Sequence, residues 1–321
     1  MFLFDVPLEH RAATLQAMAA VAGADGALAP TELTLLEAAR DALGLDGDVR
    51  HLAPFDAGAL RDADARVRER VVQAMLLMAV MDGAGSPGEA ALVEATAATL
   101  GVDEPRVANL RQLASGRVRR LWLDLTRKGY AMEEFLRTAK EEGGRGLWKT
   151  FAPIVGLSTD DALAERIVAN GLLPEGTLGR AYFEFLTRNG LPFPSEPFAV
   201  AERGLWHDLS HVLGAYETTP VDEALVVAFV AGFRREDPFF WLFTIALQFQ
   251  VGLRLSPFSP GVPKQIDPRA FVRHHQRGAA VRLDLSRECD FRADWERPLA
   301  LVRAELGVGP RDDAPATYAG A

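Results

Sequence analysis

The chain has 321 residues, is 49% hydrophobic and 25% charged, and carries a formal net charge of −9 at neutral pH. That balance argues against a nucleic-acid partner, because phosphate recognition needs clustered Lys and Arg, and the single cysteine excludes an internal disulfide and suits a reducing compartment. The opening Met1-Phe2-Leu3-Phe4-Asp5-Val6-Pro7 has neither a basic region before a long apolar core nor an Arg- and Ser-rich transit pattern, so a bacterial cytoplasmic protein of two domains is expected.

Helical periodicity dominates. Apolar residues recur at three- and four-residue spacing over 9–24, 31–43, 62–81, 88–99, 104–140, 160–169, 178–189, 198–214, 220–233, 239–252, 268–283 and 295–306. Nothing alternates convincingly at period two, which predicts an all-α protein. Residues 15–46 align with 72–103 at a constant offset of 57, with fifteen identities in thirty-two positions, so residues 1–115 hold a duplicated helix-loop-helix bundle. Gln16-Ala17-Met18 matches Gln73-Ala74-Met75, Asp25-Gly26-Ala27 matches Asp82-Gly83-Ala84, and Pro30 and Glu32 match Pro87 and Glu89. Pro30 and Pro87 start helices, Ser86 with Glu89 forms a capping box, and Gly44 and Gly101 end helices.

Residues 1–115 carry 17 acidic and 9 basic side chains, a net of −8, so nearly all of the chain's charge sits there and a protein or a cation is the partner it suits. The repeated DG…PxxE pattern resembles the tellurite-resistance protein B family, a small helical domain. That resemblance implies a cation held by the acidic loop residues, here Asp25, Glu32, Asp82 and Glu89. An EF-hand is excluded, since its loop needs ligands at positions 1, 3, 5, 7, 9 and 12. The alternative is that these carboxylates cap or salt-link neighbouring helix ends.

At the junction with the second domain, Gly116-Arg117-Val118-Arg119-Arg120-Leu121-Trp122, continuing to Arg127, Lys128 and Tyr130, mixes cations with interfacial aromatics as amphipathic surface helices do. A solvated helix with Trp122 packed inward is the alternative. Further on, Gly176 and Gly179 without a Walker lysine read as a tight helix entry, and Arg180 is a candidate for binding a lipid phosphate or a ring carboxylate.

The densest chemistry lies in His207-Asp208-Leu209-Ser210-His211, followed after eleven residues by Glu223. At 100° per residue, His211 lies about 40° and Asp208 about 100° around the helix from His207, so all three project from one face. Thr219 as N-cap, Pro220 at the first helical position and Asp222 three beyond the cap open a second helix, and a short connection returns Glu223 beside the histidines. Imidazoles with carboxylates make a divalent-metal site, and the donor set suits zinc with an open position as well as the two-His, one-carboxylate triad of non-haem iron; manganese is a third option. Asp208 is a fourth ligand, a group orienting a histidine, or a proton carrier. A shortened relative of the HExxH zinc peptidases is the rival enzyme class; Asp, one methylene shorter than Glu, counts against it.

The pattern HDxxH-x11-E resembles the signature of the coenzyme Q biosynthesis protein 4 family, with His207, Asp208, His211 and Glu223 in place. Leu173-Pro174-Glu175-Gly176-Thr177-Leu178-Gly179-Arg180-Ala181-Tyr182 resembles its LPxGTLGRxY stretch. Arg277-Gly278, Trp295, Pro298-Leu299, Val302-Arg303 and Leu306-Gly307-Val308 resemble its closing helices. The resemblance spans residues 116–308 and implies an all-helical fold, a divalent metal (zinc), a hydrophobic channel for a polyprenyl lipid, and a peripheral seat on the inner face of a quinone-making membrane. It also implies work on the benzoquinone ring. That work is either oxidative decarboxylation of a prenylated hydroxybenzoate or non-enzymatic organisation of quinone-biosynthesis enzymes, and a homodimer is a further candidate assembly. In the apolar run Phe239–Leu255, Trp241 and Phe243 are the candidate lipid contacts, with burial in a core helix as the alternative. His274 and His275 point about 100° apart and read as surface histidines; Cys289 reads as packing and residues 309–321 as a disordered tail.

Overall fold

The computed structural model describes residues 2–26, 28–128, 130–152, 161–194, 196, 204–255 and 260–314. Among the described residues there are α-helices and no strand, so the chain is all-α. In order these are α1 (Leu8–Ala22), α2 (Pro30–Ala42), α3 (Ala65–Met78), α4 (Pro87–Leu100), α5 (Pro105–Ala114), α6 (Val118–Lys128) and α7 (Tyr130–Phe151). Then come α8 (Asp161–Ala169), α9 (Leu178–Arg188), α10 (Leu205–Gly214), α11 (Pro220–Phe233), α12 (Pro238–Ala246), α13 (Pro268–Ala279) and α14 (Leu299–Leu306). Two expected spans break. The single helix expected over 104–140 is interrupted after α5, where Gly116 takes φ +67, a left-handed conformation that ends a helix. The run expected over 239–252 leaves α-geometry at Ala246 and finishes as a π turn, Leu247–Val251. Of the helix expected over 198–214, residues 198–203 lie outside the described residues, as do residues 315–321 of the expected tail.

The chain packs as two compact units, Met1–Arg127 with Val227–Ala279, and Lys128–Val226 with Ala280–Ala321. Residues 227–279, read from sequence with the second domain, thus fold with the duplicated helices. The two copies use the same devices. Ser86 Oγ accepts from Glu89 N while Glu89 Oε2 accepts from Ser86 N at 2.6 Å; in the first copy Glu32 Oε2 accepts from Ala29 N at 2.7 Å, and Ala29 has no side chain to reciprocate. The loops of the copies meet, since a Cβ on Gly88 would lie 3.0 Å from Ala24 O. Leu35, Met18, Met75, Leu77 and Val93 are fully buried between the helices, each large apolar side chain contributing about 1.5–3 kcal/mol.

Helices α12 and α13 belong to this unit because polar and backbone contacts tie them to the repeats. Arg106 pairs with Glu104 at 2.7 Å and with Asp237 at the start of α12; Gln250 Nε2 donates to Met81 O at 2.6 Å. Arg269 on α13 pairs with Glu37 and, at 3.5 Å, with Asp41 on α2. The end of α11 crosses α13 with no room for a side chain: a Cβ on Gly278 would fall 1.9 Å from Phe229 O, and one on Gly232 2.4 Å from Ala279 N. His274 and His275 are buried, 2% and 3% exposed, not on the surface as expected. Two positions 100° apart are both buried because α13 is covered on more than one face. His275 Nδ1–H donates to Ala228 O at 3.2 Å and its Nε2 accepts from Leu3 N at 3.0 Å, which fixes a neutral imidazole; burial, with the N-terminal charge adding, pushes it down to about 3.

In the second unit the loop carrying Gly176 and Gly179 is stitched to the entry of α14. Leu178 N donates to Arg297 O, Gly179 N to Trp295 O, both at 2.9 Å, and Leu299 N to Gly176 O at 2.8 Å. A Cβ on Gly179 would sit 3.0 Å from Trp295 O, so the glycine permits this close backbone approach. No helix among the described residues is long and apolar enough to cross a membrane.

Candidate metal centre

Helix α10 presents the two histidines because its other positions are apolar and buried: Leu205, Trp206, Leu209, Val212 and Leu213 anchor it. It ends at Ala215, which adopts the left-handed conformation while Tyr216 N caps His211 O at 2.9 Å. Arg303 from α14 satisfies the last carbonyls, donating to Leu213 O at 3.0 Å and Val212 O at 2.9 Å. Thr219 Oγ1 accepts from Asp222 N at 3.2 Å, the expected cap of α11. The short connection is locked from both sides, because Asp222 accepts from Glu217 N at 2.6 Å and pairs with Arg311 at 2.8 Å. Arg311, inside the stretch expected to be a disordered tail, is instead packed over Tyr216, 4.7 Å from its ring centre.

This frame brings Glu223, in the first turn of α11, against both histidines. His211 Nε2 lies 3.5 Å from Glu223 Oε1 and His207 Nε2 3.8 Å from Oε2. One ligand atom from each of His207, His211 and Glu223 lies within 4.8 Å of the others, the one such group among the described residues. Donors about 2.1 Å from a tetrahedral ion stand about 3.4 Å apart, so a small closure of the three side chains would seat one. His211 is prepared for this. Its Nδ1–H donates to Glu217 O at 3.1 Å, leaving Nε2 as the lone pair facing Glu223, and Phe185 stacks on the ring at 5.3 Å.

Electrostatics favour the same state. Burial alone would raise the Glu223 carboxyl, yet His211 and His207 hold it below the ordinary carboxylate range. Burial, with the charge of His207 adding, keeps His211 below the usual imidazole range against the pull of Glu223. At His207 burial acts downward too, but the bond and charge of Glu223, with Asp208 adding, leave it above its ordinary value. The result is an anionic carboxylate beside a neutral imidazole, the forms that ligate metals.

Asp208 does not join the three. Its carboxylate accepts from Tyr182 Oη at 3.3 Å, and Tyr182, fully buried, stacks on Trp295 with ring centres 5.6 Å apart. Burial pushes Asp208 up to about 6, with Glu223 adding and His207 and Tyr182 opposing. Tyr182 closes the Leu173–Tyr182 stretch, but a lone aromatic in a sequence gives no signal of its hydrogen-bond partner. Two clefts of about 430 and 490 Å³ adjoin this layer and share Leu205, Arg292 and Trp295. The larger adds Leu163, Ile167, Leu173 and the exposed Arg166.

The other expected ligand residues fall elsewhere. Arg180 is engaged by Glu184 at 2.5 Å and by Gly171 O. Trp241 and Phe243 belong to the first unit: Arg234 lies over the Trp241 ring at 5.3 Å, and Phe243 is fully buried against Phe239. The carboxylates Asp25, Glu32, Asp82 and Glu89 do influence one another. Glu32 and Glu89, 2% and 1% exposed, are pushed up to about 7 by burial first, with Asp82 and Asp25 adding to both. Glu32 and Glu89 cap helices, as the bland alternative expects, but Glu89 Oε1 is buried with no hydrogen-bond partner. No family model matches the chain, and no curated protein matches it.

Proposed function

We propose that the chain is a divalent-metal protein of isoprenoid quinone metabolism, in which His207, His211 and Glu223 hold the ion and the substrate is a prenylated hydroxybenzoate acted on at the ring carbon that bears the carboxylate. The observation that carries this reading is the convergence of the three donor atoms within 4.8 Å, with Glu223 and His211 shifted toward the forms that bind metal. A bound ion would supply Lewis-acid stabilisation of a carboxylate or phenolate, and iron or manganese would in addition supply redox chemistry for oxygen insertion that zinc lacks. A three-residue donor set supports chemistry over a purely structural, closed four-ligand site. Asp208, raised to about 6 and bonded to Tyr182, has the properties of a group that holds or delivers a proton near neutral pH. Apolar walls with Arg166 and Arg292 in the neighbouring cleft offer a place for an anionic ring with a greasy substituent. The lipid-contact role expected of Trp241 and Phe243 moves, on this reading, to Leu163, Ile167 and Leu173. Work at a membrane surface is part of the proposal.

The test is metal content of untagged protein, prepared without added zinc and without air, beside His211→Ala and Glu223→Ala. Near-stoichiometric metal that both variants lose supports the site; iron or manganese favours the oxygen-using decarboxylase, and zinc favours Lewis-acid or structural use. No metal in wild type, or full retention in both variants, overturns it. A second reading belongs to the first unit, where the orphaned, buried Glu89 Oε1 among Asp25, Glu32 and Asp82 favours a hard, oxygen-seeking cation. Calcium or magnesium titration followed by thermal shift, in wild type and Glu89→Gln, tests it; an equal shift in both removes it.

A further inference from the structure

We infer that α6 is a docking element for an anionic lipid bilayer. It deepens the membrane part of the reading above and is independent of the metal. The helix is pinned by one stripe, Leu121 and Leu125, which are 0% and 4% exposed. Its remaining apolar residues face solvent: Val118 is 41% exposed, Trp122 44% and Leu123 47%. Set around the helix from Val118, Trp122 stands at about 40°, Arg119 at 100°, Leu123 at 140°, Arg127 at 180° and Arg120 at 200°. Val118 and Trp122 therefore sit side by side next to the pinned stripe, and Leu123 lies between Arg119 and the pair Arg127 and Arg120. That is the mixture a headgroup layer accommodates, with rings at the acyl boundary and cations at phosphates.

Charge selects the sign of the partner. Between Arg117 and Arg127 there are four arginines and one acid, Asp124, and Asp124 is already taken by Gln112 Nε2 at 2.5 Å. Among the described residues none of Arg117, Arg119, Arg120 and Arg127 makes a side-chain hydrogen bond or ion pair. Three of them crowd the N-terminal turn, where the helix dipole is already positive, so the fold holds a concentrated cationic end that an anion would relieve. Residues 1–115 carry a net of −8 and are repelled by an anionic surface, so the arginines of α6 stand out in sign from the helices that precede them. The exposed Trp122 and Leu123 favour a bilayer, whose acyl boundary covers both, over a duplex phosphate backbone, which would use the arginines alone.

The experiment is co-sedimentation of the full chain with large vesicles of phosphatidylcholine alone or with a third phosphatidylglycerol, at low and at high salt. Binding at least tenfold stronger to the anionic vesicles, and weakened by salt, is expected. Arg119→Glu with Arg120→Glu should reduce it more than tenfold, since each surface cation contributes about fivefold. Trp122→Ala with Leu123→Ala should reduce it a further several-fold, and Arg50→Glu, an exposed arginine in the acidic bundle, should leave it unchanged. Circular dichroism of each variant guards against misfolding. No binding, equal binding to neutral vesicles, or binding that only the arginine variants weaken overturns the inference; the last result would identify a generic polyanion site. Metal content measured on the same samples separates this outcome from the fate of the metal reading.

Discussion

The two clusters of ionisable side chains resolve the same problem in opposite ways. In the first unit, Asp25, Glu32, Asp82 and Glu89 set like charges together, so burial and mutual repulsion lift Glu32 and Glu89 to about 7. In the second, two imidazoles face one carboxylate, and Glu223 is held ionised below its ordinary range. The acidic cluster avoids its cost by keeping protons; the histidine cluster avoids it by charge complementarity. A cation entering the first must displace protons from both glutamates, whereas one entering the second meets Glu223 and His211 shifted toward their binding forms and competes with a proton only at His207. Metal class should follow, with hard cations at the carboxylates and borderline transition metals at the histidines.

The largest effect should come from removing the only anionic donor of the histidine cluster. Glu223→Gln should weaken zinc or iron affinity by about a thousandfold, about 4 kcal/mol, and Glu89→Gln should leave it unaltered, as read by competition with a chromophoric chelator. Equal losses in both variants would dissolve the distinction between the clusters. The next effect concerns pH. Unfolded glutamate ionises near 4.5, and Glu32 and Glu89 ionise at about 7 when folded, so between those values the folded state holds protons that the unfolded state has released. Stability therefore falls as pH rises from about 4.5 to about 7 and levels off above. In chelator, Glu89→Gln should stabilise the protein by roughly 3 kcal/mol at pH 8 and hardly at all at pH 4.5, measured by urea denaturation. A variant that gains nothing at pH 8 would mean the cluster is not strained. Smallest of the three, Tyr182→Phe should cost about 1 kcal/mol of stability and change metal affinity less than threefold, because Tyr182 touches Asp208 and no donor of the triad.

Much of the local structure was legible. Pro30, Ser86 with Glu89, and Gly101 punctuate helices by mechanisms that act within a few residues, and the structure uses them so. Of the four donors that the HDxxH-x11-E spacing brings together, His207, His211 and Glu223 converge, because a helical turn and a short capped connection leave little freedom. What the pattern could not reveal depends on contacts between distant residues. Nothing periodic in α13 announces that His275 will accept from Leu3 N, or that glycines at 232 and 278 let two helices touch backbone to backbone. Asp208 looks like a fourth ligand on a helical wheel, and only the placement of Tyr182 directs its carboxylate elsewhere. The apolar run holding Trp241 and Phe243 is equally suited to a tunnel or a core, and packing alone assigned it to the first unit.

The interrupted composition of the first unit has a bearing on how the chain is made. Its duplicated helices emerge early from the ribosome, but Arg269, which pairs with α2, and His275, which holds Leu3, are specified far downstream. Between Arg127 and Ala279 lie roughly 150 residues, and at a synthesis rate of about 5–20 residues per second these take on the order of ten to thirty seconds to appear. During that interval the face of α2 that receives α13 is bare, and the contact separated by 272 positions cannot form. The acidic bundle must therefore wait, partly folded, for its own last helices.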